Sequence, residues 1–129
     1  MIVLDASAAV ELVWHSPAGA RIAVRINEER SVHAPHLLDL EVTSALRRQC
    51  ALGSLTPERA NEALFDYAEL RIERHSHLAH LGRIWELRHR FTAYDAVYLA
   101  LAEALDAVLL TRDAALRSAP LHRGRVEVV

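Results

Sequence analysis

Short unbroken apolar runs and longer stretches of helical spacing alternate along the chain. Ile2-Val3-Leu4 carries no polar interruption, the pattern of a strand buried on both faces, and residues 6–14 read as a short helix. Ser16-Pro17 starts a second helix that runs to about residue 29, with Ile22, Val24 and Ile26 among its apolar positions. Residues 31–34 form a short extended stretch ended by Pro35. Residues 37–52 are helical, with Leu38, Val42, Ala45 and Leu46 on one stripe and Gly53 at the C-terminal position where glycine belongs. Thr56-Pro57 is a capped helix start, and that helix extends to about residue 71. Residues 72–75 read as a strand, 77–90 as a helix, 92–105 as another helix and 107–110 as a buried strand. A helical turn over 113–117 and a last strand over 126–129 complete the chain. Strands alternating with helices predict an α/β fold with a largely parallel sheet, and no repeat or linker divides residues 1–129.

Composition narrows what such a fold can do. A chain of 129 residues with 52% hydrophobic and 25% charged residues is an ordinary globule, long enough to bury a core. Its net charge of −2 provides no global basic field, so any nucleic-acid surface must be local. A single cysteine, Cys50, rules out an internal disulfide framework. No apolar run reaches the ~20 residues of a membrane span and no basic region precedes the first apolar run, so a soluble cytoplasmic protein is expected. Every Lys-or-Arg position is Arg. The absence of Lys removes the P-loop. It also counts against receiver domains and haloacid-dehalogenase phosphatases, which place Asp after a first strand but characteristically use Lys too. With Gly19, Gly53, Gly82 and Gly124 as the only glycines, no GxGxxG dinucleotide loop exists either.

The chemistry lies in carboxylates at strand ends and helix starts. Asp5 follows the first apolar run and reads either as the cap of the next helix or as a functional group beyond a strand's carboxyl end. Leu109-Leu110-Thr111-Arg112-Asp113 repeats that grammar, and Asp113 is equally a cap for the turn that follows. Asp95 falls three residues after Thr92, in a first helical turn, where Thr-x-x-Asp also imitates a capping box. On the 37–52 helix, Glu41 and Asp39 flank the apolar stripe on opposite sides, and spacing does not choose between them. Singly, each acid has a structural explanation; together they lie on elements that a parallel sheet brings to one edge.

The segments "VLDASAAVEL", "APHLLDLEVTSALRR", "TAYDAVYLALAEAL" and "LLTRDAAL", in this order and spacing, resemble a PIN-domain ribonuclease of the VapC toxin type. The resemblance covers essentially the whole chain and implies a PIN-like fold. It implies an acidic site of Asp5, Glu41, Asp95 and Asp113, choosing Glu41 over Asp39, with Ser7 and Thr111 at the family's hydroxyl positions. Hard oxygen ligands without Cys or His select Mg²⁺ or Mn²⁺. The implied reaction is metal-assisted hydrolysis of RNA, transfer or ribosomal, with Asp5 and Asp95 as core ligands, Asp113 completing the set, and Glu41 binding a second ion or orienting water. The resemblance further implies a VapB-like antitoxin that covers or enters the site, and a homodimer formed through helices. Asp106 departs from the pattern, standing where relatives often carry a helix-ending glycine.

Other features compete for attention. His75-Ser76-His77 with His80 suggests zinc, but no Cys or evident fourth ligand accompanies them, and surface histidines are expected. Trp14, Trp85, Phe91, Tyr94 and Tyr98 could stack on bases, yet their helical spacing fits core or interface, and Tyr98 shares a stripe with Leu101 and Leu105. Arg47, Arg48, Arg88 and Arg90 read as solvated helix charges, and Arg112 beside the acidic edge is the first choice for a phosphate contact. The competing function is a non-catalytic PIN-like docking module. An intact acidic set counts against it, because carboxylates kept together without a cation repel one another.

Overall fold

The structure is a computed structural model that describes residues 1–120 and 125–129. Five strands form one all-parallel sheet: β1 (Ile2–Leu4), β2 (Val32–Pro35), β3 (Ile72–His75), β4 (Val108–Thr111) and β5 (Arg125–Val128), in the spatial order β3-β2-β1-β4-β5. Helices α1 (Ala6–Val13), α2 (Pro17–Asn27), α3 (Leu37–Ala51), α4 (Pro57–Glu69), α5 (Leu81–Glu86) and α6 (Ala93–Leu105) cover it. Helix α6 lies on β1, β2 and β4 with α5 beside it, while α1 to α4 pack together as the other layer. With both faces covered, the central strands must be apolar throughout. Ile2, Val3 and Leu4 are all fully buried, as are Leu109 and Leu110. No helix among the described residues is long and apolar enough to cross a membrane.

The strand order sets where a site can form. From β1 the chain steps outward to β2 and β3, then returns across β1 to β4 and β5. The reversal lies between β1 and β4, and the crevice at their carboxyl ends is where open α/β sheets bind ligands. Local signals fix the helices that flank it. Asp5, Ser16, Thr56 and Thr92 each accept a backbone N–H at the start of a helix, and Pro17 and Pro57 supply the first-turn proline. Helix α1 is further locked by α2. A Cβ on Gly19 would come within 2.1 Å of the Glu11 carbonyl oxygen, so only glycine permits this approach.

Three expectations shift. Pro35 belongs to β2 rather than ending before it; β1 pairs with β2 only as far as Val3 and His33, so the missing N–H costs no ladder bond to β1. The expected helix over 77–90 is a 3₁₀ turn (Leu78–His80) followed by the short α5. Leu78, Leu81 and Trp85 point into solvent and only Leu87 is deeply buried, so little tertiary packing sustains a longer helix. The last strand begins at Arg125, one residue earlier than the pattern suggests.

Asp106 ends α6 in the left-handed region, with φ 52° and ψ 40°. That conformation is costly for a residue with a Cβ and natural for glycine. Asp106→Gly should therefore stabilise the protein by about 0.5–1 kcal/mol, read as a higher urea midpoint at unchanged slope. A lower midpoint would show that the Asp106 side chain stabilises the turn by more than its backbone strain costs.

Candidate active site

Asp5 caps α1 at the candidate site, and its two oxygens divide the work. Oδ1 accepts the Ala6 N–H at 2.8 Å and starts α1. Oδ2 accepts two hydroxyls at 2.6 Å each, from Ser7 on α1 and from Thr111 at the end of β4. The Asp5 N–H donates to the Leu110 carbonyl at 3.0 Å, so backbone and side chain both bridge the β1–β4 switch point. Ser7 Oγ also accepts the Arg112 N–H at 2.9 Å, and Thr111 Oγ1 accepts the Asp113 N–H at 3.0 Å. The two hydroxyls thus orient the carboxylate while holding the loop that carries Asp113.

Asp95 stands in the first turn of α6, its N–H capped by Thr92 Oγ1 at 3.2 Å. Burial raises the pKa of its carboxyl, and the charges of Asp5 and Asp113 raise it further, against the opposing Thr92 hydrogen bond. Glu41 on α3 behaves alike. Burial and the charges of Asp5 and Asp95 push its carboxyl up, opposed by the Tyr98 hydroxyl, which donates to Oε2 at 2.5 Å. Glu41 and Asp95 each feel Asp5, and Asp95 also feels Asp113, so all four acids share one negative neighbourhood. Asp113 is exposed and keeps its capping role, with Oδ1 accepting the Ala115 N–H at 2.9 Å. Among the described residues, none of the four takes part in an ion pair.

Asp39, the alternative that spacing left open, lies elsewhere. Two residues apart on a helix means about 200° of rotation, so Glu41 and Asp39 face different surroundings. Asp39 Oδ1 accepts the Tyr67 hydroxyl at 2.5 Å and the Arg74 guanidinium at 3.0 and 3.2 Å. Burial alone would raise its pKa, but these donors outweigh it and hold the carboxyl below its ordinary value. Asp39 is a structural anion joining α3, α4 and β3.

An open groove of about 600 Å³ runs from Ser7 and Glu41 along α1 and α3, lined by Val10, Leu37, Leu40, Arg48 and Tyr94 among others. Tyr94, one residue from Asp95, is 64% exposed. Arg112 does not line this groove, and its Nη1 donates to the Val129 carbonyl at 2.6 Å; Arg48, two turns along α3 from Glu41, is the exposed guanidinium on the groove. Sequence reasoning set Tyr98 aside as an apolar-stripe residue. It is fully buried, yet its hydroxyl fixes Glu41, and its place three residues after Asp95 on α6 was the available signal. The histidines divide differently as well. The one group of three His, Cys, Asp or Glu ligand atoms lying within 4.8 Å of one another, among the described residues, is His33, Glu73 and His75, while His77 is exposed and outside it.

The PIN domain family model matches residues 2–120. The chain belongs to the PIN-domain family. Within it, Ribonuclease VapC1 of Mycobacterium tuberculosis is 42% identical over 119 residues, covering 92% of this chain and 90% of the relative. Ribonuclease VapC12 of the same species is 37% identical over 129 residues, covering 100% and 99%. At that likeness the chain is a member of the VapC ribonucleases. Among solved structures, PAE2754 from Pyrobaculum aerophilum superposes with TM-score 0.72 at 25% identity over 97% of this chain and 87% of that one. VapBC2 from Rickettsia felis, bound to a DNA fragment from their promoter, gives TM-score 0.70 over 99% and 98% at 15% identity, a likeness of fold alone.

The two acids of α3 should titrate with opposite effects on stability. Glu41 has a raised pKa in the fold, so its contribution is full below the ordinary glutamate range and is lost as pH rises through the raised value. In EDTA, Glu41→Gln should become progressively more stable than wild type as pH rises from about 4 towards neutrality. Asp39 has a depressed pKa, so its contribution is present at neutral pH and lost as pH falls through the acidic range. Asp39→Asn should be less stable than wild type at neutral pH, the gap closing on acidification. Urea midpoints across pH measure both, and equal behaviour of the two variants would contradict the separation of their environments.

Proposed function

We propose that this PIN domain, taken as the whole of residues 1–129, is a metal-dependent endoribonuclease acting as the toxin of a toxin–antitoxin pair in the cytoplasm. One observation carries the reading: Asp5, Asp95 and Asp113 lie close enough at the carboxyl edge of the sheet for their charges to raise the pKa of Glu41 or Asp95, and no ion pair among the described residues offsets the four acids. The donor set suits a hard divalent cation, since every candidate ligand is a carboxylate oxygen and the raised pKa of Glu41 and Asp95 marks uncompensated negative charge. Asp5, Asp95, Asp113 and Glu41 would hold it. Bound Mg²⁺ or Mn²⁺ would polarise a phosphodiester and acidify a water.

The chain's own residues do the rest. Asp5 is preset by Ser7 and Thr111, leaving Oδ1 with a lone pair beyond its capping bond. Tyr98 holds Glu41 towards Asp5 and Asp95. Arg48 suits a backbone phosphate along the groove, and the exposed ring of Tyr94 offers a face for an unstacked base. Single-stranded segments of transfer or ribosomal RNA fit such a groove, because their bases are free to stack. The apolar wall of Val10, Leu37 and Leu40 also suits a segment of a VapB-like antitoxin, which would block RNA by occupying the groove. Two copies would pair through helices.

Asp5→Asn and Asp95→Asn should each abolish cleavage and toxicity while circular dichroism and melting show a folded protein, since Asn retains the capping geometry. Loss of an outer-shell partner costs metal sites about 10–100-fold, so removing a ligand carboxylate should cost at least about a hundred-fold in cleavage rate. Glu41→Gln should follow them and Asp39→Asn should not. EDTA should stop cleavage and Mn²⁺ restore it, and sequencing the 5′ ends of RNA after controlled expression identifies the target. Near wild-type cleavage by either Asp variant would remove that residue from the site.

A further inference from the structure

We propose that His33, Glu73 and His75 form a three-ligand site for a divalent transition-metal ion of the Zn²⁺ class, tying the edge strand β3 to β2. The strand register brings the three together. His33 pairs with Glu73 across β2 and β3, and His75 follows two residues later on the same side of β3. Arg74 between them turns the other way, to Asp39 on α3, so Glu73 and His75 face the layer of α5 and α6.

The spacing is that of ligands around one ion. His33 Nδ1 lies 2.9 Å from His75 Nε2 and 3.6 Å from a Glu73 oxygen, and His75 Nε2 lies 3.9 Å from the other Glu73 oxygen. A tetrahedral ion with bonds near 2.0–2.1 Å needs ligand atoms about 3.3–3.4 Å apart, and one ligand atom from each of the three residues lies within 4.8 Å of the others, a spacing small side-chain rotations can adjust. His33 is also oriented from behind. Its Nε2 sits 2.7 Å from Ser31 Oγ, so a proton on Nε2 donated to Ser31 leaves the Nδ1 lone pair aimed at His75 and Glu73. His33 is only 5% exposed, and burial, opposed by Glu73 and aided by His75, lowers its pKa, which favours the neutral form a metal ligand needs. His80, on the 3₁₀ turn that follows, is lowered by burial and by the same His75, which sets a further imidazole close to the group.

Two imidazoles and one carboxylate favour borderline ions over Mg²⁺, and a three-ligand set leaves a fourth position open. Glu73 is exposed, so an ion has an entry path. The site is separate from the carboxylates at the β1–β4 edge, and with water in the fourth position a bound ion would bridge β2 to β3 through these three side chains. It would pin an edge strand whose free backbone groups otherwise invite pairing with another chain. It would also steady the start of α3, because the His36 N–H donates to the His75 carbonyl at 3.2 Å.

The test uses the full chain, stripped with EDTA and dialysed, titrated with Zn²⁺ by calorimetry and melting, and with Co²⁺ by visible absorption. With excess Mg²⁺ present to fill the carboxylate edge, about one equivalent should bind, raise the melting temperature, and give the intense d–d bands of a tetrahedral nitrogen–oxygen site. His75→Gln should abolish this binding, and Glu73→Gln, at an exposed position that spares the fold, should weaken it at least about tenfold. His77→Gln and Asp95→Asn should leave it unchanged. Absence of Zn²⁺ binding would overturn the proposal and leave a hydrogen-bonded histidine pair. Binding that survives His75→Gln, or that is lost in Asp95→Asn or His77→Gln, would overturn it equally by placing the ion elsewhere.

Discussion

Asp5 Oδ2 receives two hydroxyl protons, one from the strand–helix turn that follows β1 and one from the end of β4. These bonds reinforce the junction of β1 and β4, where the strand order reverses, and they fix the carboxylate around which the other acids gather. Hydrogen bonds to charged groups are worth about 1.5–3 kcal/mol each, and here they add to the ladder that already pairs β1 with β4. The constraint propagates outward. Ser7 and Thr111 pass their remaining capacity to the N–H groups of Arg112 and Asp113, so the loop after β4 takes its shape from the same carboxylate.

Holding four acids near one another works against stability, and the surrounding structure shows how the strain is distributed. Glu41 and Asp95 carry it as raised pKa values. The Tyr98 hydroxyl relieves part of it for Glu41 and is itself driven to a much higher pKa, first by burial and then by its bond to that carboxylate. A buried phenol that must stay protonated is a one-way donor. It keeps Glu41 turned towards Asp5 whatever the charge on the neighbouring acids.

The sequence announced the architecture because apolar runs and capping residues are local signals. Ile2-Val3-Leu4, the Ser16-Pro17 and Thr56-Pro57 starts and the Thr92 cap all read correctly one segment at a time. Asp5 and Asp95 were legible as acids at strand and helix ends for the same reason. What escaped depended on contacts far apart in the chain. Asp39 and Glu41 flank one stripe symmetrically, and only Tyr67, Arg74 and Tyr98, from three other elements, tell them apart. The bond from Arg112 to the Val129 carbonyl, 17 residues away, was likewise invisible in the local pattern. His77 and His80 drew the eye as sequence neighbours of His75, whereas the imidazole that meets His75 is His33, 42 residues away across a strand pairing.

Charge placement explains why the acidic edge calls for a cation from outside the chain. With no lysine, every strong cation is an arginine, always charged and strongly directional in its bonding. The arginines that pair with carboxylates on the flanks are committed: Arg74 to Asp39, Arg83 to Glu86 and Glu103, Arg25 to Glu29 and Glu127. These acids stand on the flanks of the sheet, and their pairs stitch helix to helix or helix to strand. At the β1–β4 edge the same protein offers hydroxyls instead, which orient a carboxylate without neutralising it. A hydroxyl leaves the full negative charge available, whereas a guanidinium there would cancel it and fill the space an ion needs. Ser7 and Thr111 in place of an arginine beside Asp5 are therefore what leaves the proposed cation site negatively charged, unlike the structural ion pairs elsewhere in the fold.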